Sequence, residues 1–265
     1  MSFLLHESGG PAYLASSLLG GVRHGFSTRR GGVSRPPWNS LNLGPGRGDE
    51  AAAVEENYRR FCAALGTDYR RAVLAKQVHK TNVRVCAGAD AGKGLFRPRD
   101  YEADGLVTNV PDLPLVVFSA DCGVILLHDP VKGAAGAVHA GWRGCAAGIL
   151  SQAVRVMGEA FGSDPADLLA AVGPCIGQCC FETDGDVPEA MRAALGTAAE
   201  PYIAARGSKW HVDLAGLNRQ WLLQAGLLPE HIDLCSLCTA CRPDLFWSHR
   251  KMGEARGAQT AMIAL

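Results

Sequence analysis

The residue types best suited to chemistry lie in two short segments, Ala120-Asp121-Cys122-Gly123 and His139-Ala140-Gly141-Trp142-Arg143-Gly144. Each sets a soft donor at the end of an apolar run. Leu115-Val116-Val117-Phe118 leads towards Cys122, and Gly136-Ala137-Val138 leads into His139. Upstream, Gln77-Val78-His79 offers a second imidazole. A thiol and two imidazoles at strand ends can meet at one point in space. Three protein ligands with a fourth position open is the pattern of a catalytic zinc. The same residues also allow a Cys122 nucleophile with His139 as its base. They equally allow three polar side chains packed at strand ends. The three lie far apart in the chain, so spacing does not choose among these readings.

Other residues invite weaker readings. Cys235, Cys238 and Cys241 form a Cys-x2-Cys-x2-Cys series, and Cys175, Cys179 and Cys180 a second group. Paired Cys-x2-Cys knuckles would signal a structural zinc, but the second group lacks that spacing. Reduced cysteines packed in a core are therefore expected. Arg29, Arg30 and Gly31-Gly32 can cradle an anion with guanidinium and backbone donors. Arg143, near a helix start, can do the same. Neither glycine-rich phosphate loop, Gly-x-Gly-x-x-Gly or Gly-x4-Gly-Lys-Ser/Thr, follows a strand, so a nucleotide cofactor is not expected.

The elements that must position these residues can be read from periodicity. Ala72–Ala75, Val83–Cys86, Gly105–Thr108, Leu115–Phe118, Gly123–His128 and Gly136–His139 read as strands. Asp129-Pro130-Val131-Lys132-Gly133 reads as a hairpin turn. Leu168–Val172, Ile232–Leu234 and Thr260–Ala264 add three more strands. Asp49 is expected to cap a helix whose buried face is Val54, Tyr58, Phe61, Cys62 and Leu65. Further helices are expected from Gly144 to Phe161, over 185–205, and from Leu214 to Gly226. Residues 24–48, rich in Gly, Pro, Ser, Arg and Asn, read as one long ordered loop. Strands and helices do not alternate regularly, which favours α+β layers over a doubly wound sheet. No linker divides the chain, so residues 1–265 are expected to form a single domain.

Composition narrows the function. The 265 residues carry 26 Lys plus Arg and 26 Asp plus Glu, so the net charge is zero and nucleic-acid binding draws no support. No apolar run approaches the roughly 20 residues that span a bilayer. The N-terminal Met1-Ser2-Phe3-Leu4-Leu5-His6-Glu7 lacks a basic n-region. A cytoplasmic protein, monomeric and without membrane partners, is expected, with its ten cysteines reduced.

Taken together, the motifs are more specific than any one alone. In order they are Phe26-Ser27-Thr28-Arg29-Arg30-Gly31-Gly32-Val33-Ser34, Ser40-Leu41-Asn42-Leu43-Gly44, Gln77-Val78-His79, Ala103-Asp104-Gly105-Leu106-Val107-Thr108, Ala120-Asp121-Cys122, His139-Ala140-Gly141-Trp142-Arg143-Gly144, Gly173-Pro174-Cys175-Ile176-Gly177, Cys238-Thr239 and Ser248-His249-Arg250. This array resembles the bacterial family first labelled multicopper polyphenol oxidase, or laccase-domain, proteins. That family was later understood as zinc-dependent purine nucleoside phosphorylases with adenosine deaminase activity. The likeness runs from about residue 24 to the C-terminus. His249 replaces the Tyr that the family commonly carries there.

The resemblance implies layered α/β/β/α sheets, similar to cysteine-hydrolase toxins. It implies zinc on His79, Cys122 and His139. The substrates it implies are a purine nucleoside and phosphate, cleaved to free base and a ribose 1-phosphate, with adenosine, inosine and methylthioadenosine as candidates. Arg29 and Arg143 become candidates for the phosphate, and Asn42 for a sugar or base hydrogen bond. The older oxidase label fits the residues poorly. A laccase draws on about ten imidazoles, several in His-x-His pairs. This chain has 8 His, none so paired. Copper at the His79, Cys122 and His139 site would instead explain an oxidase activity, since Cu(II) exceeds Zn(II) in intrinsic affinity. Two alternatives remain: a metal-free Cys-His hydrolase or deamidase, and a binding or quality-control protein with a structural zinc.

Overall fold

The computed structural model describes residues 3–7 and 9–265. Two six-stranded mixed sheets form its centre. The first runs in the order β1 (Phe3–His6), β2 (Tyr13–Ser16), β3 (Arg23–Ser27), β15 (Gln259–Ala264), β7 (Leu115–Ser119) and β4 (Val73–Leu74). The second runs β14 (Ile232–Leu234), β10 (Leu169–Val172), β8 (Gly123–Asp129), β9 (Ala134–Ala140), β6 (Gly105–Thr108) and β5 (Val83–Val85). A small third sheet joins β11 (Glu182–Thr183), β13 (Lys209–Val212) and β12 (Ile203–Arg206). The helices are α1 (Ala51–Leu65), α2 (Trp142–Ala146), α3 (Ile149–Phe161), α4 (Asp186–Leu195), α5 (Leu214–Gln224) and α6 (His249–Met252).

The strands are apolar on both faces, and the faces serve different cores. Along β7, Leu115 and Val117 enter the core between the sheets, while Val116 turns to α1. Along β8, Val124 and Leu126 face the first sheet, while Ile125 and Leu127 pack on α3. This period of two, with apolar residues on both faces of the central strands, stacks α1, two sheets and α3 with α5 as four layers. A fourth core gathers α2, α4 and α5 beside the third sheet, with Ile176 and Phe181 from the loop before β11. The expected α/β/β/α arrangement of mixed sheets is the one observed. Among the described residues, no helix is long and apolar enough to cross a membrane.

Four local expectations need correction. The loop expected from residue 24 begins after β3, because Gly25 and Phe26 pair with Met262 and Ala261 on β15, a partner no local composition reveals. The helix expected from Gly144 to Phe161 is two helices. Gly148, with φ of +74°, takes the left-handed conformation between α2 and α3. The stretch 185–205 is helical only to Leu195. Gly196 and Pro201 break it into a 3-10 turn before β12 opens at Ile203. Asp49 is not the cap: Glu50 precedes the helix, and Asp49 accepts hydrogen bonds from Ser34 and Asn42.

Leu126 is fully buried between the sheets. Leu126→Ala should lower the free energy of unfolding by about 2–5 kcal/mol, the usual cost of such a cavity. Chemical denaturation monitored by tryptophan fluorescence will measure it.

Candidate metal centre

His79 follows β4, Cys122 stands in the turn between β7 and β8, and His139 lies near the end of β9. The turn carries the chain from one sheet to the other, so the thiol sits at their junction. His139 belongs to the same face of β9 as Ala135 and Ala137, and pairs in register with Val124. One donor atom from each of His79, Cys122 and His139 lies within 4.8 Å of the other two. The two imidazoles stand edge to face, with ring centroids 4.8 Å apart.

A buried carboxylate holds both histidines, one by its ring and the other by its backbone. Asp104, just before β6, accepts His139 Nδ1 at 2.8 Å. That bond leaves Nε2 of His139 facing the other donors. The same carboxylate accepts the backbone N–H groups of Val78, His79 and Lys80 at 3.0, 3.0 and 3.1 Å. These three bonds hold His79 in a left-handed conformation, φ of 59°, that a β-carbon disfavours. Burial pushes the Asp104 pKa up, but the bonds from His139, Val78 and Lys80 win and hold it below its ordinary value.

A second aspartate fixes the thiol. Asp121 also has a positive φ, 92°. Its carboxylate accepts the hydroxyls of Thr239 and Ser248 and the backbone N–H of Arg250. Cys122 O accepts the Ser119 hydroxyl at 2.7 Å. Burial would raise the Cys122 pKa. The His139 charge and hydrogen bonds from both histidines outweigh it and bring the thiol down to about 6. Burial likewise opposes protonation of His139, yet the neighbouring thiolate and Asp104 lift it to about 9. Without a metal the pair is thus a thiolate and an imidazolium between those values. The buried thiols of Cys62, Cys86 and Cys145 are instead pushed up to about 12.

The donor set fits a metal ion. Two imidazoles and a readily ionised thiol converge, and the backbone leaves space beside them. A β-carbon at Gly141 would lie 3.0 Å from Cys122 Sγ, 3.3 Å from the His79 ring and 3.6 Å from the His139 ring.

A cavity of about 390 Å³ opens onto His79 and Cys122. Trp142, Phe181, Ile176 and Leu214 give it apolar walls. Arg143, Arg250 and Arg256 give it cationic ones, and His249 adds an imidazole. The Arg143 guanidinium stacks 4.3 Å from the Trp142 ring centre and pairs with no carboxylate among the described residues. Arg256 is 8% exposed and donates to His249 Nδ1.

The other two expected substrate residues lie elsewhere. Arg29 stacks on Trp247 and donates to the carbonyls of Asn39 and Pro243. Asn42 is fully buried. Its amide donates to Asp49, and its oxygen accepts from Gly44 and Ala258. Neither lines the cavity beside the donors; both brace the 28–48 loop. Arg250 and Arg256 were not singled out by sequence as anion contacts, because they sit in a short non-periodic segment. Asp104 lay inside a quoted motif, but nothing in its spacing pointed to the two histidines.

Residues 23–265 match the family described as multi-copper polyphenol oxidoreductase laccase. The chain belongs to that family. It is 35% identical over 246 residues to purine nucleoside phosphorylase YlmD of Bacillus subtilis, covering 91% of this chain and 87% of that one. It is 36% identical over 231 residues to purine nucleoside phosphorylase YfiH of Escherichia coli, covering 87% and 89%. The crystal structure of the Bacillus licheniformis hypothetical protein YfiH superposes with a TM-score of 0.93 at 33% identity over 98% of both chains. The fold and the family are thereby shown. The family's description speaks of several coppers, yet of the eight histidines only His79 and His139 join a group of metal-ligating side chains among the described residues.

Two outcomes follow. Asp104→Asn keeps the shape but loses the charge and the paired acceptors. It should weaken metal retention by roughly 10–100-fold, as loss of an outer-sphere partner does, read by competition with a chelator. In metal-free protein, alkylation of Cys122 should follow a titration near 6 rather than the ordinary thiol range. The rate should therefore fall as pH drops through that value, and His139→Ala should move the titration upward.

Proposed function

We propose that the chain is a zinc-dependent purine nucleoside phosphorylase that also deaminates adenosine. The observation that carries this reading is the union of the His79, Cys122 and His139 donors with a half-apolar, half-cationic cavity. Its naming rests on the relatives called purine nucleoside phosphorylases. Zinc suits two imidazoles and one thiolate, and when bound it supplies a Lewis acid at neutral pH. Copper would bind the same donors. We read residues 1–265 as one functional unit, because the centre draws on both sheets.

The chain's own residues supply the rest. The Trp142 and Phe181 rings offer flat apolar faces of purine size. Arg143, Arg250 and Arg256 line the same cavity, and planar guanidinium forks suit phosphate oxygens. His249 is the cavity's imidazole outside the donor set, so it is placed to pass a proton to the leaving base. Apolar walls exclude water and strengthen these charge contacts.

A second reading has an observation of its own. The Cys122 thiolate beside the His139 imidazolium is also the resting state of a cysteine hydrolase or deamidase. Metal analysis separates the two: near-stoichiometric metal, lost in Cys122→Ser, belongs to the first.

The direct experiment incubates purified protein with adenosine, with and without phosphate, and resolves the products chromatographically. Adenine and ribose 1-phosphate are expected only with phosphate, and inosine in both cases. Absence of both activities in metal-replete protein would overturn the proposal. Arg143→Lys should lose about 2–4 kcal/mol of transition-state stabilisation, as for other single electrostatic donors, because lysine lacks the planar fork. Its metal content should stay unchanged.

A further inference from the structure

Two loops that the sequence kept apart meet in space. One follows β10 and carries Cys179 and Cys180; the other follows β14 and carries Cys238 and Cys241. Their backbones touch in a parallel bridge between Cys175 and Cys238. One sulfur from each of Cys179, Cys180, Cys238 and Cys241 lies within 4.8 Å of the others. Cys235 and Cys175 stand outside the group. Reduced cysteines scattered in a core were expected, but Cys179 and Cys241 are exposed and the other two half-buried.

We propose that these four cysteines are a second metal site, a closed tetrathiolate for a single thiophilic divalent cation such as zinc. Four sulfurs at 2.3 Å from a tetrahedral centre stand about 3.8 Å apart. Cys241 Sγ lies 3.6 Å from Cys179 Sγ and 3.4 Å from Cys180 Sγ. These separations are too long for a disulfide, whose sulfurs are about 2.05 Å apart. They are too short for an iron–sulfur cluster, whose inorganic core spaces its cysteines more widely. Cys238-x2-Cys241 is a knuckle spacing, and the Gly177 N–H donates to Cys238 Sγ at 3.2 Å. A β-carbon at Gly177 would come within 3.2 Å of Cys238 Cβ and 3.4 Å of Cys179 Sγ, so a side chain there would press the two loops apart by a few tenths of an ångström. On binding, the four thiols release their protons to become thiolates.

The site has a structural purpose. The first loop also holds Ile176 and Phe181 of the cavity wall. The second holds Thr239, which donates to Asp121 beside the Cys122 thiol. Arg250 donates to the carbonyls of Cys180 and Glu182. A cation on the four sulfurs would clasp the two loops that shape the cavity, without touching substrate.

Elemental analysis of the purified chain and its variants tests this. Wild type should hold two zinc ions per chain, and Cys241→Ser and the Cys238→Ser/Cys241→Ser pair about one. Cys122→Ser should retain the tetrathiolate zinc. If the nucleoside-enzyme reading fails, nucleoside turnover is absent while the Cys238 and Cys241 variants still lose one ion relative to wild type. Cobalt loading gives an independent readout: the strong sulfur-to-cobalt absorption of a tetrathiolate should survive Cys122→Ser, whereas the double variant should keep only the weaker band of the single Cys122 thiolate. Thiol alkylation of wild type guards against variants that misfold, since Cys179 and Cys241 should react only after strong chelation. Unchanged zinc in the double variant overturns the proposal. So does immediate alkylation of these exposed thiols in metal-replete wild type.

Discussion

The carboxylate of Asp104 is the constraint on which the centre depends. It is fully buried, and an unpartnered charge there would cost several kcal/mol. Four donors meet it, three backbone N–H groups and one imidazole N–H. Those donors belong to two segments, one after β4 in the first sheet and one on β9 in the second. Satisfying one anion therefore sets the conformation of His79 and the ring orientation of His139 together. Neither histidine is held by its own strand alone.

Asp121 repeats this logic on the other side of the thiol. Its left-handed backbone turns the chain between sheets and presents Cys122, while its carboxylate gathers Thr239, Ser248 and Arg250 from the C-terminal third. Strain of this kind, on the order of 1–3 kcal/mol per residue, persists where surrounding bonds over-determine it. Three oxygen-directed bonds do so here. The two aspartates place the donors from opposite sides, and the rigid double sheet keeps the aspartates in place.

What the sequence could reveal follows from the range of each signal. Strands β7, β8, β9, β10 and β15 were legible because each carries a run of consecutive apolar residues. Strand β3 was not, since its mixed residues make sense only against β15, far away in sequence. The break at Gly148 hid within an apolar helical pattern, where a lone glycine is often tolerated. His79, Cys122 and His139 were legible as soft donors at strand ends. Where the side chains of Arg29 and Asn42 lie was not legible, because spacing does not say which way a side chain points: Arg29 lies over Trp247, and Asn42 is buried on Asp49. The four-cysteine cluster was illegible because each loop supplies half of it, and no rule of local spacing joins halves so distant.

Net charge misleads for the same reason. The chain sums to zero, yet Arg143, Arg250 and Arg256 line one cavity whose only carboxylate among the described residues, Asp121, is spent on neighbouring donors. Charge that is balanced over the molecule is unbalanced over a few ångströms, and substrates respond to the local field. Donor chemistry obeys the same locality. Ten cysteines and eight histidines suggest many metals when counted, but the fold brings together only one thiol with two imidazoles, and four thiols without any, among the described residues. The first set adjoins a cavity, and three ligands leave room for a reacting group. The second exhausts four-coordination with protein sulfur, which leaves it nothing to do but hold loops together. Which metal chemistry a site can perform is decided by what the fold withholds from the ion as much as by what it offers.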